Sequence, residues 1–124
     1  MEVFKTRWVV RWARRERIAD NSLLKAITRA ERGLVDADLG GGIIKQRVAR
    51  AGQGRSGGYR MLIAYRIGRR AVFLYGFAKR ERENIDDDEL RTLQELGAKW
   101  LAADAGRIAG AIEDGTLEEV SDDA

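Results

Sequence analysis

Histidine, cysteine and proline are all absent from these 124 residues. Without histidine, acid–base chemistry has to proceed without the side chain that titrates near neutrality. Without histidine and cysteine, a zinc site lacks its usual nitrogen and sulfur ligands, and Ser-His-Asp or Cys-His catalysis is impossible. The lack of cysteine also excludes disulfides and thiolate chemistry, and the lack of proline excludes rigid Pro-rich linkers. No apolar run approaches the roughly 20 residues a membrane span needs. The opening MEVFKTRW has no apolar signal-peptide core. A cytoplasmic protein with no membrane partner is the default expectation.

Charge is plentiful but unevenly placed. The chain carries 23 Lys and Arg against 20 Asp and Glu, a net +3. Residues 1–85 hold 20 basic against 8 acidic residues, or +12, whereas residues 86–124 hold 3 against 12, or −9. A basic body suggests a polyanionic partner. The acidic stretch equally suits a monomer that neutralises itself by packing its tail on its own basic face. The length fits one domain, 1–124, with 86–124 as an acidic helical extension.

The periodicity predicts an α+β architecture. Residues 3–7 read as a strand. From Trp8 onward two patterns compete, because Phe4, Thr6, Trp8, Val10 and Trp12 alternate while Trp8, Val9, Trp12 and Ala13 share a helical face. The arginines that follow are good helix formers and favour a helix from about residue 8. Asn21 or Ser22 is positioned to cap a second helix, with Leu23, Leu24, Ala26, Ile27 and Ala30 along it and Gly33 at its end. Residues 36–42, DADLGGG, read as a turn-rich link. Three strand-like segments follow at 42–50, 59–67 and 71–79, the last two joined by a short turn at Gly68, Arg69 and Arg70. Asp86–Glu89 supply a cap and an acidic first turn for a helix carrying Leu90, Leu93, Leu96, Trp100 and Leu101. A last helix spans about 104–114 and stops at Gly115. The expected fold is a small antiparallel β-meander packed against N-terminal helices, with extra helices at the C-terminus.

Residues 47–60, RVARAGQGRSGGYR, contain Gly52, Gly54 and Gly57 at the spacing G-x-G-x-x-G. A dinucleotide loop at that spacing needs a strand before it and a helix after it. Here the next segment, YRMLIAYRI, alternates as a strand does, and no G-x-x-x-x-G-K-[ST] occurs. The glycines therefore read as a turn with room for close approach to a phosphate, among Arg47, Arg50, Arg55 and Arg60. Alternation puts Lys45 and Arg47 on one strand face and Arg60 and Arg66 on one face of the next. Lys79 ends the third strand, followed by Arg80 and Arg82. A curved sheet would gather Lys45, Arg47, Arg60 and Lys79 into one basic hollow; otherwise they are solvated strand residues. Tyr59, Tyr65, Phe73, Tyr75 and Phe77 suit a core better than base stacking.

The run DADLGGGIIKQRVARAGQGRSGGYRMLIAYRIGRRAVFLYGFAKRERENI resembles the RelE/HigB superfamily of toxins, and more narrowly its HigB-like branch. Lys45-Gln46-Arg47, Arg55-Ser56-Gly57-Gly58-Tyr59-Arg60 and Tyr75-Gly76-Phe77-Ala78-Lys79 match that branch's K-x-R, [KR]-x-G-G-x-R and Y-x-F-x-K patterns. The likeness runs from Phe4 to about Leu101. It implies the small α+β toxin fold, a cognate antitoxin that is often a DNA-binding repressor, and cleavage of mRNA on the ribosome. Carried over by motif, the catalytic positions are Lys45, Arg47, Arg60 and Lys79, with Arg50, Arg55, Arg80 and Arg82 as RNA contacts. RelE relatives place a functional tyrosine soon after the last strand; residues 80–90, RERENIDDDEL, hold none.

Such cleavage needs no metal or cofactor, because the RNA 2′-OH itself attacks the adjacent phosphorus. Arginine forks suit the phosphate oxygens. A lysine acting as base at neutral pH has to have its pKa lowered by about 3, worth about 4 kcal/mol. Crowded cations and partial burial supply effects of that size. Lys45 and Lys79 are assigned to proton transfer or positioning, and Arg47 and Arg60 to phosphate stabilisation. The alternatives are a ParE-like gyrase inhibitor, or an inactive relative that only binds its antitoxin.

Overall fold

A computed structural model of the chain describes residues 1–49 and 58–122. The chain opens with strand β1 (Glu2–Thr6), in which Val3 and Phe4 are buried on opposite faces. Thr6 closes the strand and caps helix α1 (Arg7–Glu16), its hydroxyl accepting from the Val9 N–H at 3.4 Å. Val9, Trp12 and Ala13 point inward, so the helical pattern wins over the alternating one from Arg7 onward. Helix α2 (Asp20–Glu31) starts earlier than its polar residues predict. Ala19 holds the N-cap position and makes no side-chain bond. Asp20 is used instead for tertiary contacts, taking the Lys5 ammonium at 2.5 Å and the Ser121 N–H at 3.1 Å.

The segment expected as a link contains a strand. Strand β2 (Ala37–Gly40) pairs antiparallel with β3 (Ile43–Val48). Gly40, Gly41 and Gly42 all have positive φ, at 83°, 61° and 81°, a run that L side chains rarely adopt. Three consecutive glycines are thus the condition for this hairpin. Strands β4 (Tyr59–Arg66) and β5 (Arg70–Ala78) complete the meander, turning at Gly68. Helices α3 (Asp87–Ala102) and α4 (Ala105–Glu113) follow. A short strand, β6 (Leu117–Glu119), returns to the sheet, which the periodicity did not foretell because three residues carry no readable alternation.

The sheet order is β2-β3-β4-β5-β1-β6. All pairs are antiparallel except β1 with β5, so the sheet is mostly, not wholly, antiparallel. Helices cover both faces. Val9, Trp12, Leu23 and Ile27 pack on one side against Ile44, Met61, Ile63 and Phe73. On the other, Trp100, Leu101, Ile108 and Leu117 pack against Phe4, Ile43, Leu62 and Val72. The acidic C-terminal helices are thereby half of the scaffold, held by apolar contact. Close approach of α3 depends on Gly97, where a Cβ would stand 3.0 Å from both Ala64 and Ile43.

A β-bulge in β5 sets up the functional face. Leu62 pairs with Tyr75 but Ile63 pairs with Phe73, which leaves Leu74 as the extra residue. Phe73 therefore packs with the α1–α2 core while Tyr75 and Phe77 turn to the α3 side. The aromatic residues at odd positions on β5 do not share one face. Buried Gln46 ties β3 to α2: its amide donates to the Ala26 and Leu34 carbonyls at 3.0 and 3.2 Å and accepts from the Asp36 N–H at 2.7 Å.

Candidate nucleic-acid interface

Three strands bring the basic residues together by register. Arg47 lies opposite Arg60, and Arg60 opposite Phe77, forming one row across β3, β4 and β5. The next row is Lys45, Leu62 and Tyr75. The Tyr65 N–H bonds to the Gly42 carbonyl, which makes 42 and 65 a hydrogen-bonded pair. By alternation Arg47 and Arg60 form a non-hydrogen-bonded pair, the kind whose side chains stand closer, with Cα atoms about 4.5 Å apart. Both side chains project to the α3 side. Alternation beyond Phe77 puts Lys79 on that side too; its N–H bonds to the Gly58 carbonyl at 3.1 Å, anchoring it beyond the end of β5.

Two cations face to face cost stability unless something offsets them. Asp36 does part of this. Its carboxylate accepts the Arg47 backbone N–H at 2.6 Å and lies 3.8 Å from the Arg47 guanidinium. Arg29 holds the same carboxylate at 3.8 Å and donates to the Arg47 carbonyl. Arg60 is half-buried. Burial, and then the neighbouring charge of Arg47, lower its pKa from the ordinary value, with Asp36 acting in the opposite sense. Arginine nonetheless keeps its charge at physiological pH. The row thus presents a pair of guanidinium groups, one of them partly desolvated, with Asp36 beside Arg47.

The segment after β5 closes one side of this face. Arg82 forms a two-pronged ion pair with Glu89 at 2.7 and 3.1 Å and donates from Nε to the Asn84 carbonyl at 2.9 Å. Its guanidinium also lies 5.6 Å from the centre of the Phe77 ring. Glu89 is itself fixed in the capping box of α3, accepting the Asp86 N–H at 2.9 Å. These contacts, the Arg82 guanidinium foremost, hold the Glu89 carboxyl down to about 2. Asn84 then reaches the site, its Oδ1 accepting from the Lys45 ammonium at 2.7 Å. A neutral amide orients the lysine without cancelling its charge. Tyr75 sits between Trp8, at a ring separation of 4.5 Å, and Phe77, at 6.2 Å.

Lys45, Arg47, Arg60 and Lys79 therefore lie on one side of the sheet. Arg80 is exposed in the turn after β5, whereas Arg82 is committed to Glu89 and Asn84. Arg50 and Arg55, and the glycines of the 52–57 loop, lie outside the described residues. Asp36, Asn84 and Glu89 are the site residues that sequence reasoning missed as such. Glu89 was visible only as a capping residue, and nothing in the spacing connects Asn84 to Lys45, 39 positions away.

The α+β sheet thus displays a row of paired cations bordered by Asp36, Asn84 and the aromatic rings of Tyr75 and Phe77. Over residues 1–120 the chain matches the family described as RelE toxin of RelE / RelB toxin-antitoxin system, and it belongs to that family. It is accordingly a toxin-antitoxin toxin, with an antitoxin as partner. Neither the comparison with curated proteins nor that with solved structures returns a match. Among the described residues no helix is long and apolar enough to cross a membrane.

Proposed function

We propose that this RelE-family chain, of the HigB-like branch, inhibits translation in the cytoplasm by cutting mRNA on the ribosome. The observation that carries the reading is the direct opposition of Arg47 and Arg60 across β3 and β4, which sets two guanidinium groups side by side, a like-charge pair that Asp36 helps to offset. A scissile phosphate is an anion that such a pair can receive, and guanidinium forks fit its oxygens. As the 2′-oxygen bonds to phosphorus, the phosphorane gains negative charge, and donors already in place stabilise it without reorganisation. The 2′-OH proton passes to a basic group, the P–O5′ bond breaks, and the leaving oxygen takes a proton. The products are a 2′,3′-cyclic phosphate and a 5′-hydroxyl. Lys45, oriented by Asn84, and Lys79, at the end of β5, serve these proton transfers or position the RNA. Arg80 extends the contact along the RNA backbone, as Arg50 and Arg55 do in the motif-based assignment.

The experiment is induction of wild type and Arg60→Ala in cells, with mRNA 5′ ends mapped by primer extension. Wild type produces new ends within translated messages and Arg60→Ala does not. Intact mRNA together with trapped, cleaved DNA in a gyrase supercoiling assay would instead make the chain a ParE-like poison. An absence of toxicity from both proteins would make it an antitoxin-binding relative without activity.

A further inference from the structure

The opposite edge of the sheet carries a second surface. Among the described residues β6 is an edge strand, paired only with β1. Lys5 and Glu118 are partners in that ladder, and the flanking bonds run from the Arg7 N–H to the Thr116 carbonyl and from the Val120 N–H to the Val3 carbonyl. Residues 116, 118 and 120 thus spend their backbone groups on β1, and alternation aims the N–H and C=O of Glu119 away from the sheet.

Glu119 lines a groove of about 570 Å³. Leu24 of α2 forms part of one wall, and Ile108 and Ile112 of α4 part of the other, with Met1 at its end. Met1 and Ile112 remain 50% and 41% exposed. The rim is acidic. Glu119 and Asp122 line it and form no ion pair among the described residues, while the third carboxylate, Glu2, is taken by Arg70 at 2.8 Å. Among the described residues no lysine or arginine lines the groove, in a chain that is otherwise basic up to residue 85.

We propose that this groove binds an extended segment of a partner protein, with alternating apolar and basic residues, added as a strand beside β6. Strand addition draws affinity from main-chain bonds and specificity from alternate side chains. The Glu119 backbone supplies the bonds, the apolar walls take every second side chain, and the two carboxylates select the basic ones. Short, charged edge strands generally serve to repel other edges. Glu118 and Glu119 do repel a second copy of this chain, since β6 against β6 would set carboxylates against carboxylates. They do not repel a basic strand, and a purely protective edge has no need of apolar walls on both sides.

The test uses the full chain and two blocked peptides, VKVKVK and VEVEVE, with backbone amide NMR and hydrogen exchange as readouts. Glu119→Pro removes the outward N–H without touching a β1 bond, and proline is tolerated at sheet edges. Glu119→Lys combined with Asp122→Lys reverses the rim. Neither position touches the proposed RNA site, so toxicity in cells should be unchanged, and a loss of peptide binding stays distinct from a failure of the RNA reading. VKVKVK should shift and protect the Glu119 amide of the wild type, and each variant should weaken it about tenfold or more. The Glu119 amide guards against mere attraction of VEVEVE to the basic face. The proposal is overturned if VKVKVK leaves that amide unchanged, if the folded Glu119→Pro variant binds equally well, or if the wild type dimerises through β6.

Discussion

Arg47 and Arg60 stand directly opposite each other on β3 and β4, with side chains on the face that α3 leaves open. α3 begins beside Tyr75 and packs most closely at Gly97, over Ala64 and Ile43. It therefore shields the far end of the strands and stops short of the arginine row. The register and the placement of α3 together create the site, and each makes a separable demand on stability and activity.

Replacing Arg60 should abolish the proposed activity with little effect on the fold. Arg60→Met keeps much of the aliphatic packing and removes the charge. Stability is expected to change by less than about 1 kcal/mol, because relief of the opposition to Arg47 is set against the lost bond to the Tyr59 carbonyl and the lost attraction to Asp36. Denaturant melts of wild type and Arg60→Met check this, and a clear loss of stability would mean that Arg60 is structural.

Asn84→Asp should slow mRNA cleavage by about tenfold, because a carboxylate would pair with the Lys45 ammonium where the amide only orients it. Cleavage assays with the wild type and the variant check this. Unchanged cleavage by Asn84→Asp would contradict the assignment of Asn84 to orienting Lys45.

The Arg82–Glu89 pair should give the segment after β5 an acid limit. The folded carboxyl titrates at about 2, below the ordinary glutamate value of about 4.3. Its contribution is therefore complete above the unfolded value and is lost as pH falls from about 4 towards 2. Exchange protection of the Glu89 and Leu90 amides, which bond to Asp86 at the helix start, should weaken over that window. Glu89→Gln should show the weakened state at every pH.

Two buried positions test the scaffold. Gln46→Leu leaves the Asp36 N–H without its acceptor and should cost about 1–3 kcal/mol. Gly76→Ala would set a methyl 2.5 Å from the Met61 sulfur and the Trp12 ring, with a similar cost of about 1–3 kcal/mol. Thermal or denaturant unfolding reads both.

Deleting residues 104–124 should unfold the protein rather than unleash it. The cut removes Ile108, Ala111 and Leu117 from one core and Val120 from the other, and exposes Phe4. Loss of the cooperative unfolding transition is the expected result. A folded, more toxic truncation would restore the idea that the acidic tail screens the basic face.

Much of this was legible because apolar spacing is local. Leu23, Ile27 and Ala30 announced α2, and the alternation of β3 and β4 put Lys45, Arg47 and Arg60 on common faces. What escaped depends on distant partners. Asn21 and Ser22 read as caps of α2, yet Ala19 holds the N-cap position and the Asp20 carboxylate is held by Lys5 and Ser121. The bulge at Leu74 is invisible in a string of apolar residues, and it alone turns Tyr75 and Phe77 toward the site. β2 was concealed by the same three glycines that make its hairpin possible.

The most direct measurement is primer-extension mapping of mRNA ends after induction of wild type, Arg47→Ala and Arg60→Ala at matched protein levels. The account expects abundant new ends within translated messages for wild type. Each variant should reduce them by about 10²-fold or more, as befits loss of a group that stabilises transition-state charge. Equal cleavage by all three proteins would contradict it.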